Sequence, residues 1–397
     1  MQRNTISRHL VAALFLFLAI VPSWAQTDAG ARDGNKRYSM YAIAFYNMEN
    51  LFDTIDDPLI NDQDFLPGGS YGWNTMKYQS KVRNMSTVLS QIAVDKGLKY
   101  GPAVIGISEV ENRAVCLDLV QSEALRDRGY RVLHYDSPDR RGIDCALLYN
   151  PRLFHLEDSL YVHNITPEAG SDDWLGFEQD PVTHRITARP FFGDKSHPTR
   201  GFLVGIGTMG DERMAIVVCH WPSRGAESYV RERAGRQVKQ LVEALQLQYP
   251  GIKVVVMGDL NDDPDNKSLS KSMACRYKPA EVTGDGDIFN PWRYMLRTVG
   301  QGTLLYDGKW NLFDQILVTG NMVDRSMRQT RSKPRRADID LSGGLTYYFN
   351  EVFLRDFMVA QEGRYKGGPK RTTSGGVWQN GYSDHFPTCI YLIKEKK

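Results

Sequence analysis

The chain has 397 residues, with 49 lysines and arginines against 47 aspartates and glutamates, and its formal net charge is +2. A protein that binds nucleic acid by neutralising phosphates usually carries a basic excess, so the overall charge gives no support to that class, although a local patch would suffice. The five cysteines are scattered without zinc-ligand spacing. They argue against a disulfide scaffold and predict small buried side chains.

The first 25 residues are typical of a secretory signal peptide. Arg3 and Arg8 precede an apolar stretch from Leu10 to Val21, and Ser23 and Ala25 follow in the small-x-small pattern of a cleavage site. The apolar stretch is shorter than the roughly 20 residues of a membrane anchor. We therefore expect export to the periplasm or the extracellular space, with no transmembrane segment in the mature chain.

Apolar strands alternate with amphipathic helices along the rest of the chain. The predicted elements are the strand MYAIAFYN, a helix that ends at Gly97, the strand PAVIGISEV, a helix from about Ala114 to Arg126, and the strands YRVLHYD and DCALLYN. Later come the strand RMAIVVCH, a long helix near Ser228 to Leu247, and the strands IKVVVMGD, NLFDQILVT and FPTCIYLI. This order favours helices packed outside sheets, an α/β fold.

No Pro/Ser-rich linker divides the chain, so we predict one domain. It spans residues 40–397 and follows an extension over residues 26–39. Two stretches, near residues 165–200 and 321–380, are expected to be long surface insertions.

Polar residues stand at the boundaries of these apolar strands. They are Asn47, Glu49, Glu109, His220, Asp259, Asn261, Asp314, Asp384 and His385. Residues two apart in a strand share a face, so Asn47 and Glu49 should point to one spot, as should Asp259 and Asn261. Each residue alone would be interpreted as a turn or packing residue. Their common location at strand ends predicts a single site.

The types of these residues indicate the chemistry of that site. Amide and carboxylate oxygens suit Mg²⁺, Mn²⁺ or Ca²⁺, and the sequence has neither paired cysteines nor a histidine triad for zinc. Two histidines with carboxylate partners are suited to proton transfer or to stabilising an oxyanion. No nucleophile elbow, P-loop or dinucleotide fingerprint is present. Metal-assisted attack of water on a phosphate ester fits this set best.

The polar residues fall within six short segments: YNMENLFD, GISEVEN, HWPS, GDLNDDP, FDQILV and SDHFP. In this order they resemble the signature blocks of the endonuclease/exonuclease/phosphatase superfamily, which has the deoxyribonuclease-I-like fold. They run from Asn47 to Pro387 and so cover nearly the whole mature chain. The resemblance implies a four-layer α/β/β/α sandwich of two mainly antiparallel sheets flanked by helices, with the site at one edge.

The resemblance also implies a role for each polar residue. The implied metal ligands are Glu109, as the principal one, with Asn47, Glu49 and Asp384, for Mg²⁺ or else Mn²⁺ or Ca²⁺. The implied catalytic residues begin with Asp259, which activates the attacking water, and Asn261, which orients it. His385 is the implied catalytic histidine, and Asp314 orients its ring. His220 is implied to contact the phosphate. Many members have Asp or Asn in place of Glu49, so Asn50 stays open as the ligand, although strand alternation favours Glu49.

Three further residues are candidates for substrate binding. Arg189 would reach a phosphate, although an arginine on an edge strand is more often solvated. Trp221 and Trp310 adjoin the polar segments and would stack on a base or a sugar, with core packing as an equal alternative. The basic stretch RSMRQTRSKPRR would follow a nucleic-acid backbone, although such stretches are usually solvated.

We carry three hypotheses for the function. The first is an exported metal-dependent phosphodiesterase, with nucleic acid as its substrate. The second is a phosphatase, or a lipid or small-molecule phosphodiesterase, of the same fold, acting on inositol phosphates or sphingomyelin-like headgroups. The third, a non-catalytic binding protein, is disfavoured because the set of polar residues is complete.

Overall fold

The computed structural model describes residues 37–165, 175–191, 199–330 and 333–396. The predicted signal peptide and most of the predicted extension lie outside these residues. The strands are β1 (Tyr38–Leu51), β2 (Val104–Val110), β3 (Arg131–His134), β4 (Asp144–Tyr149), β5 (His155–Val162), β6 (Phe177–Gln179), β7 (Ile186–Ala188), β8 (Phe202–Met209), β9 (Glu212–His220), β10 (Lys253–Asp259), β11 (Ile288–Phe289), β12 (Leu304–Tyr306), β13 (Lys309–Asn311), β14 (Asp314–Thr319), β15 (Thr346–Val352), β16 (Thr373–Ser374), β17 (Val377–Trp378) and β18 (Thr388–Glu395). The α-helices are α1 (Thr75–Gln91), α2 (Arg113–Gln121), α3 (Ser228–Gln248) and the short α4 (Trp292–Tyr294).

Twelve of these strands form two six-stranded sheets. The first has the order β15-β18-β1-β2-β4-β3 and the second β11-β14-β10-β9-β8-β5. Each sheet has one parallel pair, β1 with β2 and β9 with β10, and its other pairs are antiparallel. The strand pairs β6–β7, β12–β13 and β16–β17 form three small sheets.

The two large sheets pack face to face and helices cover their outer sides. Alternate residues of β10 show this, because Val255 and Met257 join the cluster between the sheets while Val254 and Val256 join the cluster under α3. Helices α1 and α2 pack on the first sheet. Side chains of a strand alternate between its two faces, so a central strand buried on both sides is apolar throughout. The predicted four-layer sandwich is confirmed.

The first helix differs in its limits from the prediction. The side chain of Asn74 caps its start by accepting a hydrogen bond from the backbone N–H of Lys77, so α1 begins earlier than its apolar pattern indicates. It ends at Gln91, before the predicted Gly97, because Ala93 adopts a left-handed conformation with φ 65°. A separate 3-10 turn then leads to Gly97. The left-handed residue interrupts the helix where periodicity alone would continue it.

The two predicted insertions contain ordered elements. In the first, β6 and β7 form a hairpin that packs on α3, where the side chain of Gln179 donates a hydrogen bond to the carbonyl of Ala244. In the second, β15 pairs with β18 and forms the edge of the first sheet. The expectation that residues 346–352 lie in a surface insertion was therefore wrong. The aromatic and β-branched residues of β15 favour a strand, a local signal that the interpretation of residues 321–380 as one insertion overlooked.

The five cysteines are all buried and unpaired, which confirms their prediction as small core residues. Among the residues that the structure describes, none of the helices has the length and apolar character to cross a membrane.

We predict that Gly258→Ala destabilises the protein by about 1–3 kcal/mol, the usual cost of overpacking. A Cβ atom at Gly258 would overlap the backbone carbonyl of Cys219 on the neighbouring strand, and backbone cannot rotate away. The matched control is Gly68→Ala, because a Cβ at that position meets no atom within 4 Å. Thermal unfolding of both variants measures the difference. A Gly258→Ala variant as stable as the control would contradict this packing.

Candidate active site

A cavity of about 710 Å³ opens at the edge where the central strands of both sheets end. Six of the nine predicted polar residues line it: Glu109, His220, Asp259, Asn261, Asp384 and His385. The other three, Asn47, Glu49 and Asp314, are buried and contact the lining residues. The structure thus brings together all nine residues from strands far apart in the chain.

The strands that reach the cavity end in left-handed backbone. Glu49, Asn50, Glu109 and Asn261 have φ between 47° and 58°. Strand pairing shifts register between Asn47 and Leu51 and again after Ser108. Such conformations are costly for residues other than glycine and cluster at functional sites. They also break the alternation from which Asn47 and Glu49 were expected to share a face.

The side chain of Asn47 holds two carboxylates. Its Nδ2 atom donates hydrogen bonds to Glu109 Oε1 at 3.1 Å and to Asp259 Oδ2 at 3.0 Å. Its Oδ1 atom accepts from the backbone N–H of Glu49 at 2.8 Å, which sets the orientation of the amide. Asn47, a predicted metal ligand, therefore presents its nitrogen to the carboxylates and its oxygen to the backbone.

Glu49 and Asp384, two other predicted metal ligands, both contact Arg371. The Nε atom of Arg371 lies 3.3 Å from Glu49 Oε1, and its Nη2 atom lies 2.6 Å from Asp384 Oδ2. Burial raises the pKa of Glu49 to about 7 and the charge of Asp384 contributes, although Lys81 and Arg371 oppose the increase. The structure gives these two carboxylates a basic side chain as partner.

Asn50, the alternative to Glu49, contributes through its backbone. Its N–H donates a hydrogen bond to Glu109 Oε2 at 3.0 Å. Together with the amide of Asn47, this contact orients both oxygens of Glu109.

Glu109 and Asp259 provide a set of donors that fits a divalent cation. A ligand atom from each, together with one from His220, lies within 4.8 Å of the others. No lysine or arginine nitrogen of the described residues comes within 4.0 Å of either carboxylate, and only histidines do. Two adjacent carboxylates whose charge is not neutralised suit a hard cation such as Mg²⁺.

Asp259 is held from both sides. Its Oδ1 atom accepts a hydrogen bond from the backbone N–H of Asn261 at 3.0 Å. The side-chain amide of Asn261 donates in turn to the carbonyl of Trp221. Burial is the main cause that raises the pKa of Asp259 to about 7, against the opposing charge of His385. A carboxylate with this pKa exchanges a proton near neutral pH.

His385 and Asp314 form a buried pair. Nδ1 of His385 lies 2.6 Å from Asp314 Oδ2, and Asp314 is fully buried. Burial alone would lower the pKa of His385, but the charges of Asp314 and Asp384 outweigh it and raise the pKa well above its ordinary value. Nε2 lies 3.9 Å from Asp259 Oδ2 and 3.8 Å from Asp384 Oδ1. A protonated imidazole thus faces the carboxylates of the cavity.

The hydroxyl of Ser383 fixes the segment that carries His385. It donates to the carbonyl of Asn47 at 2.7 Å and accepts from the backbone N–H of His385 at 3.1 Å. The loop before β18 is thereby tied to the end of β1.

His220 differs from His385 in its charge. Burial lowers its pKa well below the ordinary value, and the positive charges of Arg200 and Arg141 add to this effect. The neutral ring lies with Nε2 3.8 Å from both Glu109 Oε1 and Asp259 Oδ2. It can donate a hydrogen bond to a phosphate oxygen without carrying charge.

Four arginines line the cavity and the sequence analysis did not find them: Arg141, Arg200, Arg364 and Arg371. Arg200 holds the HWPS segment, because it donates to the carbonyls of His220 and Trp221 and pairs with Asp139 at 2.6 Å. Arg371 lies in a stretch interpreted as a surface insertion and is 322 residues from Glu49. No local sequence pattern indicates a contact between residues so far apart in the chain.

The candidates for substrate binding lie in different environments. Arg189 follows the hairpin that packs on α3, where it lies 3.1 Å from Glu178, and it is not among the described residues that line the cavity. Trp221 is fully buried in the cluster under α3, so core packing accounts for it. Trp310 stacks on Phe386 with ring centroids 6.2 Å apart and is 37% exposed. Of the three, Trp310 alone is both exposed and in contact with Phe386, the residue that follows His385.

Comparison with known proteins gives the following. Residues 42–175 and 187–394 match the model of the Endonuclease/Exonuclease/phosphatase family. A mannosyl-6-phosphatase from Bacteroides thetaiotaomicron VPI-5482 is 14% identical with a TM-score of 0.51, over 89% of this chain and 99% of that chain. An endonuclease/exonuclease/phosphatase family protein from Bacteroides thetaiotaomicron is also 14% identical, with a TM-score of 0.50 over 90% and 96%. TDP2 of D. rerio, complexed with single strand DNA product, is 11% identical with a TM-score of 0.47 over 89% and 99%.

No curated protein matches the sequence. At such low identities the similar structures show the fold alone, whereas the family match extends over most of the chain. The chain belongs to the Endonuclease/Exonuclease/phosphatase family.

Proposed function

We propose that this protein hydrolyses phosphodiester bonds of nucleic acid by metal-assisted attack of water. Members of its family are hydrolases of phosphate esters. The observation that carries the proposal is the approach of His385 and Asp259, with Nε2 and Oδ2 3.9 Å apart on the cavity wall. A cationic imidazole and a carboxylate with a pKa near 7 are thereby directed at one reacting group.

Asp259 acts as the base in this proposal. Its pKa of about 7 lets it accept a proton from water at neutral pH, which is the condition for effective general base catalysis. The hydrogen bonds from Asn47 Nδ2 and the Asn261 N–H fix the plane of the carboxylate. The water is therefore oriented before it attacks.

His385 stabilises the charge that develops on the phosphoryl oxygens. Asp314 holds the ring through Nδ1, so Nε2–H is the donor that faces the cavity. A preorganised donor of this kind strengthens its interaction in the transition state. The neutral His220 adds a second donor on the side of Glu109.

Glu109 would hold the divalent cation of this family, Mg²⁺ or else Mn²⁺ or Ca²⁺, beside the base Asp259. When bound, the cation withdraws charge from the phosphoryl oxygens and supports the attack of water. Asn47 and the N–H of Asn50 orient Glu109 for this role.

Two features of the cavity support nucleic acid as the substrate. Tyr306, on the hairpin of β12 and β13, lines the cavity and is 40% exposed, so a base can stack on its ring. Trp310 on the same hairpin exposes a second ring, although it is not among the described residues that line the cavity. Arg141 and Arg364, the exposed arginines of the cavity, supply positive charge for the backbone phosphates.

A phosphomonoester of a small molecule is the second candidate substrate. The observation that favours it is the set of four arginines that lines one cavity of limited volume, because a terminal phosphate carries more negative charge than a diester.

Hydrolysis of a substrate panel with Mg²⁺ tests the function. We expect the mature chain to cleave single-stranded DNA or RNA and to release no phosphate from sugar phosphates, and EDTA should abolish the activity. Glu109→Gln should require higher Mg²⁺ because one anionic ligand is lost. Activity that persists in EDTA would contradict the metal mechanism, and turnover of sugar phosphates alone would favour the second candidate.

We predict that Asp314→Asn moves the alkaline limit of kcat/KM to lower pH. Asp314 raises the pKa of His385, so the activity that needs the protonated ring is present below this pKa and is lost as pH rises through it. Without the carboxylate the pKa falls and the loss begins earlier. His385→Ala should lose about 10²- to 10⁴-fold in rate below this pKa, where the wild-type ring is protonated.

The matched control is Asp307→Asn, which removes a carboxylate from the same cavity wall without touching the His385 pair. It should leave the alkaline limit in place. An Asp314→Asn profile that coincides with the wild-type profile would show that the pair does not set the protonation of His385.

We also propose export, on the basis of residues 1–25, which lie outside the described residues. The mature chain isolated from outside the cytoplasm should begin at or near Gln26, and N-terminal sequencing checks this. A chain that still begins at Met1 would contradict cleavage.

A further inference from the structure

Arg371 lies between two carboxylates that the sequence predicts to bind metal. Its Nε atom is 3.3 Å from Glu49 Oε1 and its Nη2 atom is 2.6 Å from Asp384 Oδ2. The side chain is 28% exposed and lines the cavity, with Cζ 4.9 Å from the centroid of the Tyr365 ring. One guanidinium thus contacts both carboxylates and still faces the cavity.

The other oxygen of Glu49 is also engaged. Oε2 accepts a hydrogen bond from the backbone N–H of Thr372 at 2.5 Å and lies 3.9 Å from Lys81 Nζ. Lys81 is fully buried and is held in place by hydrogen bonds to the Tyr382 carbonyl and the Thr372 hydroxyl. A metal ion at Glu49 would therefore meet two fixed positive charges, which repel it.

Glu109 has the opposite environment. Its oxygens accept hydrogen bonds from the Asn47 amide and the Asn50 N–H, and neither donor carries a charge. Within the described part of the chain, no lysine or arginine nitrogen lies within 4.0 Å of Glu109, and the nearest basic group is Nε2 of His220 at 3.8 Å. Glu109 thus has no fixed cation beside it and Asp259 has only the imidazole of His385 at 3.9 Å, whereas a guanidinium contacts both Glu49 and Asp384.

We propose that Arg371 is a built-in cation that occupies the place of a second metal ion. The protein then binds one divalent cation, at Glu109, while Glu49 and Asp384 hold the guanidinium. The inference deepens the proposed function and rests on it. Because a guanidinium stays protonated at all working pH values, the positive charge at this end of the cavity does not depend on the metal concentration.

Counting bound Mn²⁺ tests the proposal without an activity assay. The purified mature chain is titrated with Mn²⁺, and free ion is measured by electron paramagnetic resonance. We expect one bound ion per chain for the wild type. Arg371→Gln should bind two, because Glu49 and Asp384 lose their guanidinium and become available as ligands.

Two variants serve as matched controls. Arg371→Lys keeps a positive charge beside both carboxylates and should still bind one ion. Arg364→Gln removes an exposed arginine from the same cavity wall and should also bind one ion. Among the described residues, Arg371 and not Arg364 forms the ion pairs with Glu49 and Asp384.

Each outcome decides a separate point. Two ions in the wild type, or one ion in a folded Arg371→Gln variant, would overturn the built-in cation and leave the metal-dependent function intact. No ion in the wild type would reject that function and the inference with it. If Arg371→Gln does not fold, Asp384→Asn decides, because it should keep one ion of wild-type affinity, and loss of that ion would overturn the proposal.

Discussion

The amide of Asn47 joins two carboxylates that belong to different sheets. Asn47 and Glu109 stand on neighbouring strands of the first sheet, and Asp259 ends a strand of the second. The two hydrogen bonds from Nδ2 are about 3 Å long, and the Asn47 side chain that donates them is fully buried. Buried polar groups need such partners because an unsatisfied one costs about 1–3 kcal/mol. The relative position of the sheets is therefore coupled to the geometry of the cavity.

The same arrangement brings several acidic groups together, and the structure compensates their charges unevenly. On one side Arg371 and Lys81 neutralise Glu49 and Asp384. In the middle the negative charge of Asp314 raises the pKa of His385, so the imidazole is protonated and the two charges compensate each other. Glu109 and Asp259 have only hydrogen bonds and histidines around them. Buried carboxylates are unfavourable without a partner, so this pair, which has no lysine or arginine beside it, is the place where the fold can use a cation.

Left-handed residues determine how the side chains reach the cavity. The bulges at the ends of β1 and β2 turn Glu49 and Glu109 out of the strand alternation. Asn261 does the same after β10 and returns its backbone N–H to Asp259. The regular, closely packed strands behind them supply the support that such conformations require. The strained left-handed residues therefore lie only a few positions from the rigid, closely packed strands.

The sequence by itself determined eight of the twelve strands of the two large sheets and the identity of the polar residues at the strand ends, because these follow from local periodicity and from apolar runs that end in carboxylates or histidines. The four layers were implied by the family resemblance. It also indicated that the cysteines are buried. Only the tertiary structure decided the partners of those polar groups. The contact between Arg371 and Glu49 spans 322 residues, and the orientation of the Asn47 amide depends on a bulge that breaks strand alternation. The aromatic and β-branched residues of β15 favour a strand, but its place at the edge of the first sheet was decided only by its pairing with β18.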